Sequence, residues 1–283
     1  MDIDELMVCA QGVEFWDLDT IERLARGAVV MTPHRSGASR SGSRLGGLPD
    51  LPVSVAWPKW KERSLAFIAQ IDLDAQPEVI AQQGFPRRGL LLFFYDTAQS
   101  TWGFDPKDAG SSAVIYVPEP KGQAFVTDWP SDLPKEARYI PCGLRPEETI
   151  TLPPWEGVLI DDLDLNPEQL RAYLDLLSMT YEGEVWSRRM ILGGYPDQMQ
   201  NDMMKQCAMV TAGLYCGDGT SYQDPRAPAA RSHAYEWRLL LQVPSADQAG
   251  MMWGDVGCLY YWIRDEDLKA RRFDRCWMIL QCG

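Results

Sequence analysis

Two stretches of this chain carry nearly the same short text: Arg44–Asp50 reads RLGGLPD and Ile191–Asp197 reads ILGGYPD. Each is followed by an apolar segment with a glutamine near its end, LAFIAQID at Leu65–Asp72 and WRLLLQVP at Trp237–Pro244. A second apolar run completes each set, GLLLFFYD at Gly89–Asp96 and GCLYYWIR at Gly257–Arg264. The blocks keep their order at offsets of 147, 172 and 168 residues, so the second set holds about 25 extra residues behind its first block. Such a pattern predicts an internally duplicated, strand-dominated α+β fold, two similar halves packed into one pseudo-symmetric body.

The intervening sequence assigns the elements. Asp19–Ala25 has the caps and spacing of a helix within an acidic N-terminal extension, residues 1–27. A first half then spans 28–120. It opens with a short strand over Ala28–Pro33 and a loop, HRSGASRSGSRLGG over His34–Gly47, too rich in Gly, Ser and Arg to pack. Leu65–Ile71 and Gly89–Tyr95 are apolar almost throughout and predict strands buried on both faces. Ala113–Val117 adds another. Residues 121–184 read as a Pro-rich connector followed by an acidic helix, in which Asn166 caps, Pro167 takes the first helical position and Leu170, Tyr173, Leu174 and Leu177 share a face. The second half, 185–283, holds a helix over Gln198–Met209, a long loop over Thr211–Arg231, and strands at Trp237–Val243, Cys258–Ile263 and Cys276–Cys282. All four segments are expected to form one compact domain.

Charge narrows the function classes. The net charge is −13, and it is concentrated. Residues 1–22 hold seven acids and no base, and residues 155–184 hold eight acids against Arg171 alone, so these two stretches carry −14 and the remainder is near neutral. Direct nucleic-acid binding is disfavoured, because phosphate contacts need clustered Lys and Arg. A basic protein would be steered toward the acidic segments, for which Asp17, Asp19, Glu22, Glu156, Asp161, Asp162, Asp164, Glu168, Asp175, Glu182 and Glu184 are the candidate contact residues. The competing reading is that both segments are solvated helix faces. No apolar run approaches a membrane span. The acidic N-terminus lacks the bases of a secretory leader, and seven cysteines without CxxC spacing read as free thiols, so a reduced cytoplasmic chain is expected.

No complete catalytic set is visible. The two histidines, His34 and His233, lie in no nucleophile signature and read as surface residues. Cys207, Cys216 and His233 flank one loop, but their spacing matches no common zinc signature, so neither metal nor cofactor is expected. The GG-x-PD turns are not phosphate loops, since no GK[ST] follows them. They read either as tight turns where the halves pack or as walls of a shared cleft lined by Asp50, Asp197, Gln70 and Gln242. Arg35, Arg40 and Arg44 could hold an anion in a backbone nest, against the alternative of a plain surface loop. Of eleven tryptophans, Trp102 and Trp253 lie in Gly-rich loops and are candidates for a recognition surface or that cleft.

The ordered series GGLPDLP with Trp57-Pro58, LAFIAQIDL, GLLLFFYD, WGFDP, LGGYPD with Gln200, Asp202, Met203 and Cys207, WRLLLQV, MMWGDVGCLYYWIRDEDL and FDRCWMILQC resembles the YwqG-like family over roughly Leu45 to Cys282. The resemblance implies a duplicated α+β fold and a cytoplasmic location. It supplies no catalytic residues, because the family has no established activity. Members are often encoded among contact-dependent toxin systems, which implies an immunity-type role. The functional expectation is therefore a cytoplasmic immunity protein that neutralises a basic toxin, such as a nuclease, by occluding its active site. The alternative is an enzyme or small-ligand binder using the cleft between the halves, with carboxylates as acid and base.

Overall fold

The computed structural model describes residues 1–13, 16–34, 42–180 and 189–283. Its strands are β1 (Arg26–His34), β2 (Arg44–Leu45), β3 (Lys59–Trp60), β4 (Arg63–Ser64), β5 (Ala66–Asp72), β6 (Leu90–Tyr95), β7 (Ser112–Val117), β8 (Cys142–Thr151), β9 (Ile191–Leu192), β10 (Trp237–Pro244), β11 (Cys258–Arg264) and β12 (Trp277–Gln281). Its helices are α1 (Ile3–Gln11), α2 (Leu18–Leu24), α3 (Glu78–Gln82), α4 (Val158–Asp161), α5 (Pro167–Thr180), α6 (Met203–Thr211), α7 (Ala227–Arg231) and α8 (Asp265–Lys269). The fold is strand-rich α+β. Ten strands form one antiparallel sheet in the order β12-β11-β10-β9-β1-β8-β2-β5-β6-β7, and β3 and β4 make a separate hairpin.

The long apolar runs become central strands, as their composition requires. Every residue of β6 is buried, and so is every residue of β5 except Asp72. The sheet curls until its two wings face each other. Phe93 of β6 packs edge-on against Tyr261 of β11 at 5.0 Å, and the Tyr261 hydroxyl donates to Phe94 O at 3.2 Å. At the rim, Leu280 N–H of β12 donates to Trp102 O at 3.1 Å. A single apolar cluster, including Ile71, Leu91, Phe93, Val243, Leu259 and Tyr261, therefore joins both wings. Outside it, α6 covers the β9–β12 wing with Met203, Met204 and Cys207, whereas the β5–β7 wing is covered by the Trp57, Trp60 and Trp129 side chains.

Four expectations need correcting. The Pro-rich stretch after residue 120 is no mere connector, because β8 runs through Pro146 and pairs with β1 along its whole length, from Arg26↔Thr151 to His34↔Gly143. Pro146 is tolerated by taking a position where no ladder N–H is needed. The segment His34–Gly47 is not loop throughout: β1 reaches His34, and Arg44–Leu45 is a strand paired with both β5 and β8. The helix expected from Gln198 starts at Met203, because Asp202 caps it. The loop over Thr211–Arg231 contains α7 at its end. Arg35, Arg40, Glu182 and Glu184 lie outside the described residues.

An acidic helical layer and two buried polar clusters

The acidic N-terminal segment and the acidic connector meet in one layer. Leu6 and Ala10 of α1, Ile21 of α2, Ile160 of α4, and Tyr173, Leu176 and Leu177 of α5 form a common apolar cluster with Leu152, the residue after β8. Trp16 fastens it: the indole Nε1–H donates to Gln169 O at 2.9 Å, and the ring lies 5.1 Å from that of Tyr173. The Tyr173 hydroxyl donates to Pro153 O at 2.7 Å, which ties α5 to the end of β8.

Several acids of this layer also cap its helices. Asp2 and Glu5 make a reciprocal capping box on α1, and Asp17 accepts from Thr20 N–H on α2. Negative charge at these N-termini is favourable on dipole grounds. Asn166 and Gln169 form the corresponding reciprocal pair on α5. Asp17, Asp19, Glu22, Glu156, Asp161, Asp162, Asp164, Glu168 and Asp175 are all exposed. Asp161 pairs with Lys205 and Asp162 accepts from the Tyr235 hydroxyl, so the α4 end of the layer is partly neutralised and braced against α6. Apolar side chains stand among the acids: Val8, Trp155, Leu163, Leu174 and Met179 are exposed. A groove of about 520 Å³ runs between the end of α1, at Gly12 and Val13, and α5, at Glu168, Arg171, Asp175 and Met179.

Asp50, Gln70, Asp197 and Gln242 are all buried, but the structure does not bring the four together. They form two clusters, with β8 and β1 lying between the strands that carry them. In one, Asp50 N–H donates to Gln70 Oε1 at 2.9 Å, while Gln70 Nε2 donates to Asp50 Oδ2 and to Gly42 O, each at 3.1 Å. In the other, Asp197 N–H donates to Gln242 Oε1 at 2.8 Å, while Gln242 Nε2 donates to Asp197 Oδ2 at 3.3 Å and to Arg189 O at 2.8 Å. Each carboxylate also meets a guanidinium, Arg44 Nη2 at 3.2 Å from Asp50 and Arg189 in a two-pronged contact with Asp197. Burial pushes the Asp197 carboxyl above its ordinary pKa, and Arg189 opposes that shift. Buried amides and carboxylates arranged this way satisfy one another and the backbone of their turns.

Sequence reasoning missed the two arginines. Arg44 was expected in an exposed basic loop and is instead 3% exposed, spent on Asp50. Arg189 precedes the second repeat block by two residues and has no counterpart at the 147-residue offset except Gly42, whose carbonyl does the same work as that of Arg189. A buried carboxylate in each turn was the available signal, since it needs a cation or donors nearby.

Trp253 is packed inside the core, edge-on to Tyr139 at 5.6 Å and Tyr95 at 6.1 Å, and Trp102 is partly buried against the same cluster. His233 Nδ1 lies 2.6 Å from Glu236 on the surface. Cys207 is buried, which raises its thiol pKa well above the ordinary value and makes it a poor nucleophile. Among the described residues, no three His, Cys, Asp or Glu side chains group as metal ligands, and no helix is long and apolar enough to cross a membrane.

Fold and site together define a strand-rich α+β protein built on one curled antiparallel sheet, with an acidic helical layer attached at β8. The chain belongs to the family DUF1963, a domain of unknown function, which it matches over residues 43–282. None of the curated proteins compared matches it. The helices α1 and α2 lie ahead of the matched span.

Proposed function

We propose that this chain is a YwqG-like cytoplasmic immunity protein, and that its acidic helical layer neutralises a basic toxin, such as a nuclease, by occluding the toxin's active site. The observation that carries this reading is the meeting of two sequence-distant acidic stretches in a single layer. Charge concentrated on one face steers a basic partner and raises its association rate. The exposed Val8, Trp155, Leu174 and Met179 supply the apolar contacts that slow release, and the groove between α1 and α5 offers a seat for one projecting side chain.

The test is capture of a basic protein by this chain from low-salt extracts of its native cells, followed by direct binding to that protein once purified. Replacing Asp17, Asp19, Glu22, Glu168 and Asp175 together by Lys is expected to lower the association rate by about tenfold or more at low salt. The dissociation rate should change less. An association rate indifferent to both these replacements and salt would sink the acidic-face mechanism, and absence of binding would sink the immunity role.

The same proposal takes the two wings as products of duplication. Support comes from matching local geometry. Leu45↔Ala69 and Leu192↔Leu241 occupy the same register, both long strands carry a bulge, between Phe67 and Ala69 and between Leu239 and Leu241, and both GG turns hold positive φ. Sequence profiles built separately from the two wings of family members should detect each other; failure to do so would favour convergence.

A further inference from the structure

An opening lies beside the second GG turn. β9 pairs with β1 at Val29 and Val30 and with β10 at Leu241 and Gln242, then leaves the sheet through Gly193 and Gly194, with φ of 68° and 65°. Farther along the two flanking strands, where β9 has already departed, stand Arg26 of β1 and Arg238 of β10. Both GG turns pack closely on neighbouring segments: a Cβ on Gly47 would lie 2.9 Å from the Pro141 side chain, and one on Gly194 would lie 2.6 Å from Ala28 Cβ. Beyond the second turn lies a pocket of about 370 Å³, floored by the β strands and walled by α3 and α8.

The lining of this pocket is unusual for a chain of net charge −13. Arg26, Arg238 and Lys269 face it, with Asp265 as the one acid. Asp265 is shared, lying 2.5 Å from Lys269 Nζ and 3.5 Å from Arg238 Nε. Arg26 has no carboxylate within ion-pair distance among the described residues. Its guanidinium is stacked on the Tyr195 ring, 4.2 Å from the centroid. Burial draws its pKa below the ordinary arginine value, in step with the repulsion of Arg238 and against the pull of Tyr195 and of the Asp265 carboxylate. The wall is fixed by Gln83 at the end of α3, whose Nε2 donates to Gly27 O at 2.7 Å and whose Oε1 accepts from Gly194 N–H at 2.9 Å. Pocket shape therefore does not depend on a flexible loop.

We propose that this opening binds a small phosphorylated molecule, with Arg26 and Arg238 gripping the phosphate from the two flanking strands and Lys269 closing over it from α8. Three cations less one carboxylate leave a charge of +2, which matches the roughly −2 of a phosphate monoester better than a single carboxylate. Planar guanidinium forks suit phosphate oxygens in two-pronged contacts. Arg26 is half-buried and shares the charge of Asp265 with two other cations, so a bound anion would offset the unbalanced positive charge. The volume lies at the small end of the range for ligand sites, about 300–1,000 Å³, so a sugar phosphate is the right scale. This site is separate from the acidic layer, and neither proposal depends on the other.

The full chain would be titrated at low ionic strength with ribose 5-phosphate and with inorganic phosphate, followed by calorimetry and by the phosphorus NMR resonance. Ribose and citrate serve as uncharged and carboxylate comparisons. Saturable binding of ribose 5-phosphate at one site is expected, weaker for inorganic phosphate and absent for ribose. Arg26→Gln should weaken it by about tenfold or more, as loss of one charge-assisted contact requires, and Arg26→Lys by less. Should Arg26→Gln fail to fold, the Arg238→Gln, Lys269→Gln double variant carries the same expectation, since its sites are more exposed. Citrate binding as tightly as the phosphates, no saturation by either phosphate, or unchanged affinity in a folded variant would overturn the assignment.

Discussion

Asp202 shows how one side chain joins two elements. Its Oδ1 accepts from Met204 N–H at 2.8 Å, capping α6, and its Oδ2 accepts from Val158 N–H at 2.7 Å at the start of α4. Burial raises its pKa from 3.8, and the N–H donors and Lys205 only partly offset this. The folded state therefore holds that proton more tightly than the unfolded chain does. Stability from this proton is fully present below pH 3.8 and is lost as the pH rises through the elevated native value. Asp202→Asn cannot titrate, so its urea-unfolding free energy should fall less than that of the parent chain as pH rises from 3.8 to neutrality. Parallel profiles would show that the carboxyl is not the source. The paired glutamines belong to this scale as well. Their position at the end of apolar strands was legible, and their partners were not, because Gly42 and Arg189 are brought to them only by the strand pairing.

At the scale of elements, the sequence reads well where one segment suffices. The Asn166 cap and the apolar face of α5, the strands β5, β6, β10 and β11, and the turn glycines all follow from local pattern. β8 does not. Its sequence, CGLRPEETIT, is charged and contains a proline, and it is a strand because β1 and β2 supply ladders on both sides. Tertiary pairing overrides propensity here. Thr151 at its end is a junction: the hydroxyl donates to Arg26 O at 3.0 Å and accepts from Tyr195 N–H at 2.9 Å, linking β8, β1 and the second GG turn. Thr151→Val keeps the shape and strands a buried donor, so it is expected to cost about 1–3 kcal/mol in chemical denaturation. A cost near zero would mean that solvent reaches these groups.

Across the whole molecule, the wings share one apolar core, whereas the helical layer has its own smaller cluster. Native-state hydrogen exchange is expected to register that difference. Amides of β5, β6, β10 and β11 should open with one common free energy despite their distance in sequence, and those of α1 and α2 with a lower one. Two distinct opening energies for the two wings would refute a shared core. The charge segregation that motivates the binding proposal also acts at this scale, since two stretches separated by more than a hundred residues join in one helical layer only after β8 and α5 are in place.

The sequence by itself determined the strand-dominated class, the two sets of buried strands, the left-handed GG turns and where the negative charge lies. Each of these follows from local composition, spacing or backbone freedom. Only the tertiary structure decided that β1 and β8 fill the centre of the sheet, that the four polar residues divide into two clusters, and that a basic pocket opens beside the second GG turn. Those outcomes depend on which strand ends next to which, and strand pairing joins residues whose separation along the chain leaves no periodic trace in it.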